Sequence, residues 1–401
     1  MTPQLKQPDP SAAAEIQGLY GPFTFSEKLL QKIWLRGDFD RSRVTTTDGR
    51  RVKIVRAGRW NLLGGPDFLE ATVRVDSGPE QTGDIELHLH AVDWTAHGHS
   101  HDHAYDRVML HVVLFPPAAG HRTIGAGGRE IPTVALLPLL HHDLEEYAAD
   151  EVLEKLSDRP ASLVVEKLAA RPLVDLAQTL RRHARERWRQ KVHFARLRIQ
   201  RLGWEAACHH TALEILGYRF NRSPMLRLAG VAPLTAWANA DPVKLFEAER
   251  ESWSVQGVRP ANHPRRRLEQ YTAWVTAQPQ WPAKLVECAT GLPDLPPEVA
   301  TALARRQTDL VAWRERFVAV TGGVLGGTRM DTMICDGFLP LLAAQTGADP
   351  HGVWFHWFPG DLPPSITRAL RALGVFAGRS SPATQGFAQG LLGWMVEEGN
   401  G

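Results

Sequence analysis

Gly65-Pro66-Asp67-Phe68-Leu69-Glu70-Ala71-Thr72-Val73-Arg74-Val75 and, after a short turn, Gly83-Asp84-Ile85-Glu86-Leu87-His88-Leu89-His90 read as two successive β-strands. Both runs are bounded by Gly, Pro and Asp, which interrupt ladders and make turns. Alternate side chains of an extended strand share a face, so Asp84, Glu86, His88 and His90 are expected on one side and Ile85, Leu87 and Leu89 on the other. A carboxylate at one strand start (Asp67), with a carboxylate and a basic group two residues apart on the next (Glu86, His88), can converge on one divalent ion and an attacking water. That chemistry suits phosphodiester hydrolysis, with Asp67 and Glu86 binding Mg²⁺ or Mn²⁺ and His88 orienting or deprotonating the water. The bland alternative makes Asp67 and Glu86 turn-capping or solvated carboxylates, and His88 and His90 part of a half-exposed face without a catalytic role.

Outward from these strands, Leu29, Leu30, Ile33 and Trp34 recur at helical spacing within Phe25 to Phe39, with Ser26 as the cap. Arg51 to Ala57 and Arg107 to Phe115 are further short β-rich runs, and Asp93 to Asp106 between strands has room for a turn or two of helix. Glu130 to Leu137 is expected as an edge strand, because Pro132 and Pro138 cannot donate to a ladder. From Asp143 the periodicity is helical, including Asp143 to Lys155, Leu173 to Arg201, Trp204 to Leu216, Leu226 to Ala238, Arg265 to Ala277, Glu298 to Thr321 and Pro364 to Leu373. The expected class is α+β: a disordered start over 1–15, a mixed-sheet α/β domain over 16–140 and an all-α domain over 141–401.

At 401 residues the chain exceeds a usual single core, and its 43% hydrophobic and 22% charged residues are ordinary for a globular protein. Cys208, Cys288 and Cys335 are odd in number and widely spaced, which argues against a disulfide framework or thiolate zinc site and for a reducing compartment. No apolar run approaches the roughly 20 residues of a membrane span, and Met1 to Glu15 lacks an apolar leader segment. A soluble cytoplasmic protein without membrane partners is expected.

The order helix, strand, Pro-Asp strand, Glu-x-basic strand, helix, strand resembles the PD-(D/E)xK nuclease core over roughly Phe25 to Phe115. On that resemblance Asp67 and Glu86 take the metal-binding acidic positions and Glu27 the acidic position of the first helix. His88 stands where that family has lysine; imidazole can take a proton or bind metal, but has no permanent ammonium charge. The chain also resembles a bacterial family known as domain of unknown function 2851. Gly65-Pro66-Asp67-Phe68, Gly83 to His88, Asp93-Trp94, His97-Gly98-His99 with Ala104-Tyr105, and Leu110-His111-Val112-Val113 carry that likeness. Arg259-Pro260-Ala261-Asn262, Pro264, Arg267 and Phe338-Leu339-Pro340-Leu341-Leu342 carry it in the second half. That resemblance implies no activity.

His97-Gly98-His99-Ser100-His101-Asp102-His103 is a second candidate, since dense His/Asp tracts can hold zinc. It resembles the His-x-His-x-Asp-His pattern of metallo-β-lactamase-type hydrolases, but no frame places Asp and His at both required offsets. The competing reading is a polar loop in which His99 and Tyr105 pack near the sheet's polar face. A third feature is basic: nine Lys/Arg stand between Thr179 and Arg201 against the single acid Glu186. Leu180, Ala184, Trp188, Val192, Ala195 and Ile199 make the apolar stripe that would anchor this helix. Arg181, Arg185, Arg189 and Arg196 are the candidate phosphate contacts for DNA or RNA, against the alternative of an ordinary solvated surface. Gly322-Gly323 and Gly326-Gly327 lack the Gly-Lys-Ser/Thr of a P-loop, and no Gly-x-Ser-x-Gly elbow exists. The pattern thus points to a metal-dependent nuclease-like phosphodiesterase, or to a non-catalytic nucleic-acid-binding or scaffold protein on a degenerate nuclease fold.

Overall fold

Ser26 opens the first helix, α1 (Glu27–Arg36), by accepting the Leu29 amide on its hydroxyl at 3.3 Å. Gly37 closes it in the left-handed conformation (φ 64°), letting the Gly37 and Asp38 amides reach back to Trp34 and Ile33. Leu29, Leu30, Ile33 and Trp34 are buried on one face, and the Trp34 indole donates to the Ala57 carbonyl at 3.0 Å. This structure, a computed structural model, describes residues 26–142, 144, 147, 161–255, 258, 260–360, 362 and 364–398. The expected disordered start (1–15), most of the expected helix Asp143 to Lys155 and Arg259 lie outside the described residues. The chain divides into two compact units, Met1–Glu151 and Val152–Gly399.

The first unit is built on a mixed sheet. Its strands are β1 (Val52–Arg56), β2 (Arg59–Trp60), β3 (Phe68–Val75), β4 (Glu80–His88), β5 (Val108–Val113) and, after the small hairpin β6 (Thr123–Ile124) and β7 (Glu130–Ile131), β8 (Thr133–Ala135). The path runs β1-β3-β4-β5-β8, with β2 also on β3. β3 and β4 form an antiparallel pair, whereas β5 joins β4, and β8 joins β5, in parallel. Parallel neighbours need a crossover, supplied by the stretch containing α2 (Asp93–Ala96) and the histidine-rich turns after it. Leu30, Trp34, Phe68, Ile85, Leu87, Leu110, Val112, Val134 and Leu136 form buried apolar contacts of this domain. The Pro-bearing segment splits into β7 and β8, and β8 ends the sheet path.

The second unit is helical, and Ala377–Ser381 is its isolated β-bridge among the described residues. Its longest helix, Leu173–Leu202, buries Leu176, Leu180, Ala184 and Trp188. Trp204–Val231 is continuous, where separate segments ending at Leu216 and restarting at Leu226 were expected. Pro224 lies inside it, at a usual cost of about 3 kcal/mol or more, and buried Met225, Leu226 and Leu228 supply packing that offsets this. Trp237, Tyr271, Trp274, Trp281, Phe317, Phe338 and Trp354 form the aromatic heart of the core. The three cysteines are free and buried, and burial pushes the Cys208 and Cys335 thiols far above their ordinary range. Among the described residues no helix is long and apolar enough to cross a membrane.

Candidate functional site

A single backbone irregularity sets the site. In the β3–β4 ladder Ala71 pairs with Gly83, yet Phe68 pairs with Ile85, so one extra residue is inserted in β3. The bulge contains Glu70, held at φ 58° while its amide donates to Asp84 Oδ1 at 3.1 Å. Continuing the shifted register brings Asp67 opposite Glu86. The atoms agree: the Asp67 amide donates to Glu86 Oε2 at 3.0 Å, and the Leu87 amide donates to Asp67 Oδ2 at 3.0 Å. Across the parallel pairs Glu86 faces His111, and His111 faces Thr133. Cross-strand partners share a face. A polar row, Asp67, Glu86, His111 and Thr133, therefore crosses four successive chain segments of the sheet.

Asp67 Oδ1 accepts the Gln31 amide at 2.5 Å, and Gln31 Oε1 accepts the Trp60 indole at 3.1 Å, so α1 and β2 orient this carboxylate. Glu27, half-buried on the first turn of α1, lies in the same electrostatic neighbourhood as Asp67, Glu86 and His97. Burial, helped by Asp67, pushes the Glu86 carboxyl up to about 9. Burial also raises Asp67 to about 6, opposed by the hydrogen bonds from Leu87 and Gln31, and raises Glu27 against the pull of His97.

On the other side of Glu86 stand imidazoles. Its Oε1 lies 3.6 Å from His88 Nε2 and 3.4 Å from His99 Nε2. His88 Nε2 is also 3.1 Å from His97 Nδ1 and 3.3 Å from His99 Nε2. Ligand atoms of His88, His97 and His99 all fall within 4.8 Å of one another, an arrangement able to hold a metal ion. Behind them His88 Nδ1 meets His111 Nε2 at 2.9 Å, His111 Nδ1 meets Thr123 Oγ1 at 2.9 Å, and Thr123 meets Thr133 at 2.9 Å. Burial holds His88 down to about 2 and His111 down to about 3, so both rings are neutral at physiological pH. His99 stacks on Tyr105 at 3.8 Å between ring centroids, as the polar-loop reading expected.

The structure thus brings together Asp67, Glu86, His88 and Glu27. It separates His90 from them: β4 ends at His88, and the His90 ring stacks on Phe115. The half-exposed face of the alternative reading is closed over β4, with Asp84, Glu86 and His88 all buried. His101 and His103 of the histidine run are exposed, and His103 contacts Asp106. His111 was missed as a site residue; the available signal was a histidine inside the apolar strand Leu110-His111-Val112-Val113. In the helical unit Arg181 donates to the Pro297 carbonyl and lies over Phe387, while Arg185 pairs with Asp349. Arg189 and Arg196 are exposed.

No curated protein and no solved structure gave a significant match. A family model matches residues 27–244, more than half of the chain, and it spans every residue of the polar row and its histidine neighbours. The chain belongs to the family described as Protein of unknown function (DUF2851).

Proposed function

We propose that the N-terminal unit is a divalent-metal-dependent phosphodiesterase of nuclease-like type acting on nucleic acid. The observation that carries this reading is the convergence of Asp67, Glu86 and Glu27 from a bulged strand, its neighbour and α1. Asp67 and Glu86 would hold Mg²⁺ or Mn²⁺, which when bound polarises a phosphoryl oxygen and makes a bound water a better nucleophile. Gln31 and the Leu87 amide fix the Asp67 carboxylate, and neutral His88 stands beside Glu86 Oε1. Glu27, half-buried where Glu86 is buried, would receive the water proton. Hydrolysis would form a bond from the water oxygen to phosphorus and break one P–O ester bond, the departing oxygen being protonated by solvent. The exposed Arg189 and Arg196 offer cations for a phosphate backbone.

The test is incubation of the full chain with single- and double-stranded DNA and RNA and added Mg²⁺ or Mn²⁺. Cleavage should appear, disappear with a chelator, and fall by about 100-fold or more in Glu27→Gln, the lower range for loss of a proton-transfer group. Asp67→Asn should be inactive; wild-type cleavage by that variant would refute the assignment. One observation favours a second reading, a nucleic-acid-binding scaffold: backbone amides already occupy one oxygen each of Asp67 and Glu86. Salt-sensitive binding without cleavage in any metal would select it.

A further inference from the structure

We propose that His88, His97 and His99, with Glu86 Oε1 as the fourth donor, form a binding site for a borderline transition-metal cation, zinc being the class example. This site shares Glu86 with the carboxylate site but is otherwise made of imidazoles, and it does not depend on hydrolysis. The argument is geometric. Zn²⁺ sits about 2.0–2.1 Å from histidine nitrogens in a tetrahedral shell, whose donor–donor edges are therefore about 3.3–3.4 Å. Four such edges are present here: His88 Nε2 to His97 Nδ1 at 3.1 Å, His88 Nε2 to His99 Nε2 at 3.3 Å, and Glu86 Oε1 to those two Nε2 atoms at 3.6 and 3.4 Å.

Proton counting leads the same way. His88 Nε2 can carry one proton, yet His97, His99 and Glu86 all approach it within 3.6 Å. One cation at the centre would engage every one of these lone pairs at once. Three imidazoles and one carboxylate favour zinc or a similar transition metal over Mg²⁺, which prefers oxygen ligands. The outer layer has the form such sites use. His88 Nδ1 is tied to His111, which is tied to Thr123 and through it to Thr133, fixing the ring that presents Nε2. Tyr105 stacks on His99, and the His99 ring also meets Trp94 edge-on at 5.2 Å. His97 is exposed at the rim, which gives an ion a way in.

The experiment uses the full, tag-free chain, stripped with a chelator and titrated with Zn²⁺ and with Co²⁺. The expected result is one tightly bound equivalent per chain and the intense visible absorption of tetrahedral Co²⁺. His97→Ala removes an exposed ring whose ring contacts are with His88 and His99; it should weaken binding at least about 100-fold. His111→Ala should weaken it by about 10–100-fold, the usual effect of losing a group that orients a metal ligand. His101→Ala with His103→Ala should bind as wild type does. Absence of a stoichiometric equivalent in wild type, an octahedral Co²⁺ spectrum, or equal losses in the His97 and His101/His103 variants would each overturn the site, the last by showing loose chelation along the histidine run. Metal content and spectrum are read without a substrate, so failure here and failure of the phosphodiesterase reading are separate results.

Discussion

Replacing His209 by Gln should remove a defined part of the acid sensitivity of the helical unit. His209 is buried within Trp204–Val231, with Nε2 3.1 Å from the Ala232 carbonyl and Nδ1 2.7 Å from the Tyr271 hydroxyl. The carbonyl can only accept, so Nε2 carries the proton and Nδ1 accepts from tyrosine. A second proton would occupy Nδ1 and leave the buried Tyr271 O–H without its acceptor. Burial accordingly depresses the His209 pKa to about 3. An unfolded histidine titrates near 6.5, so the unfolded chain gains a proton that the folded chain refuses as pH falls. The stabilisation is full above about pH 6.5 and is lost progressively toward pH 3. Between pH 7 and pH 5 the loss from this one group is about 2 kcal/mol. Urea unfolding followed by tryptophan fluorescence at both pH values measures it in wild type and His209→Gln. His351 and His356, also depressed by burial, titrate in both proteins and cancel in the difference. The variant should be less stable at pH 7 yet lose about 2 kcal/mol less on acidification; equal losses in the two proteins would refute the reasoning.

Gly352→Ala should cost about 3 kcal/mol, because a β-carbon there would overlap the Leu295 carbonyl oxygen and force backbone to move; thermal unfolding of the variant checks it. Ser26→Ala should cost about 1 kcal/mol by removing the hydroxyl that caps the Leu29 amide, measured as a lower denaturation midpoint of the N-terminal unit. If nucleic acid lies on the basic helix, the Arg189→Ala, Arg196→Ala double variant should bind every sequence more weakly. Its salt slope should then flatten by about 0.9 per lost phosphate contact; titrations giving parallel slopes would make these two arginines merely solvated.

Much of the N-terminal unit, and the longest helix of the second unit, was legible because periodicity and turn residues are local signals. The Phe68–Val75 strand, the Ser26 cap and the apolar stripe of Leu173–Leu202 all follow from residue spacing. The facing of Asp67 and Glu86 was also anticipated, though the residue that achieves it was not: nothing in Leu69-Glu70 announces a bulge, because Glu70 acquires its positive φ from pairing with a strand over ten residues away. The histidine cluster was half visible. The run from His97 to His103 drew attention, but the division between members facing Glu86 and members facing solvent depends on how the crossover folds back on β4. The continuity of Trp204–Val231 through Pro224 and the π-helical turn at Met333–Phe338 are decided by packing rather than propensity.

The inserted residue in β3 changes what kinds of mutation this chain can survive. Strand side chains have a period of two, so a ladder that ran on from the Ala71–Gly83 pair with every residue kept and none bulged out would set Asp67 opposite Leu87 instead of Glu86. Its carboxylate would then enter the apolar layer of Ile85 and Leu87, even though every amino acid named in the site was still encoded. Over this short stretch spacing is a heritable property in its own right. Loss of one residue between Asp67 and Ala71 would leave a regular ladder with Asp67 still opposite Glu86, whereas a gained residue would need a second bulged position to keep that pairing.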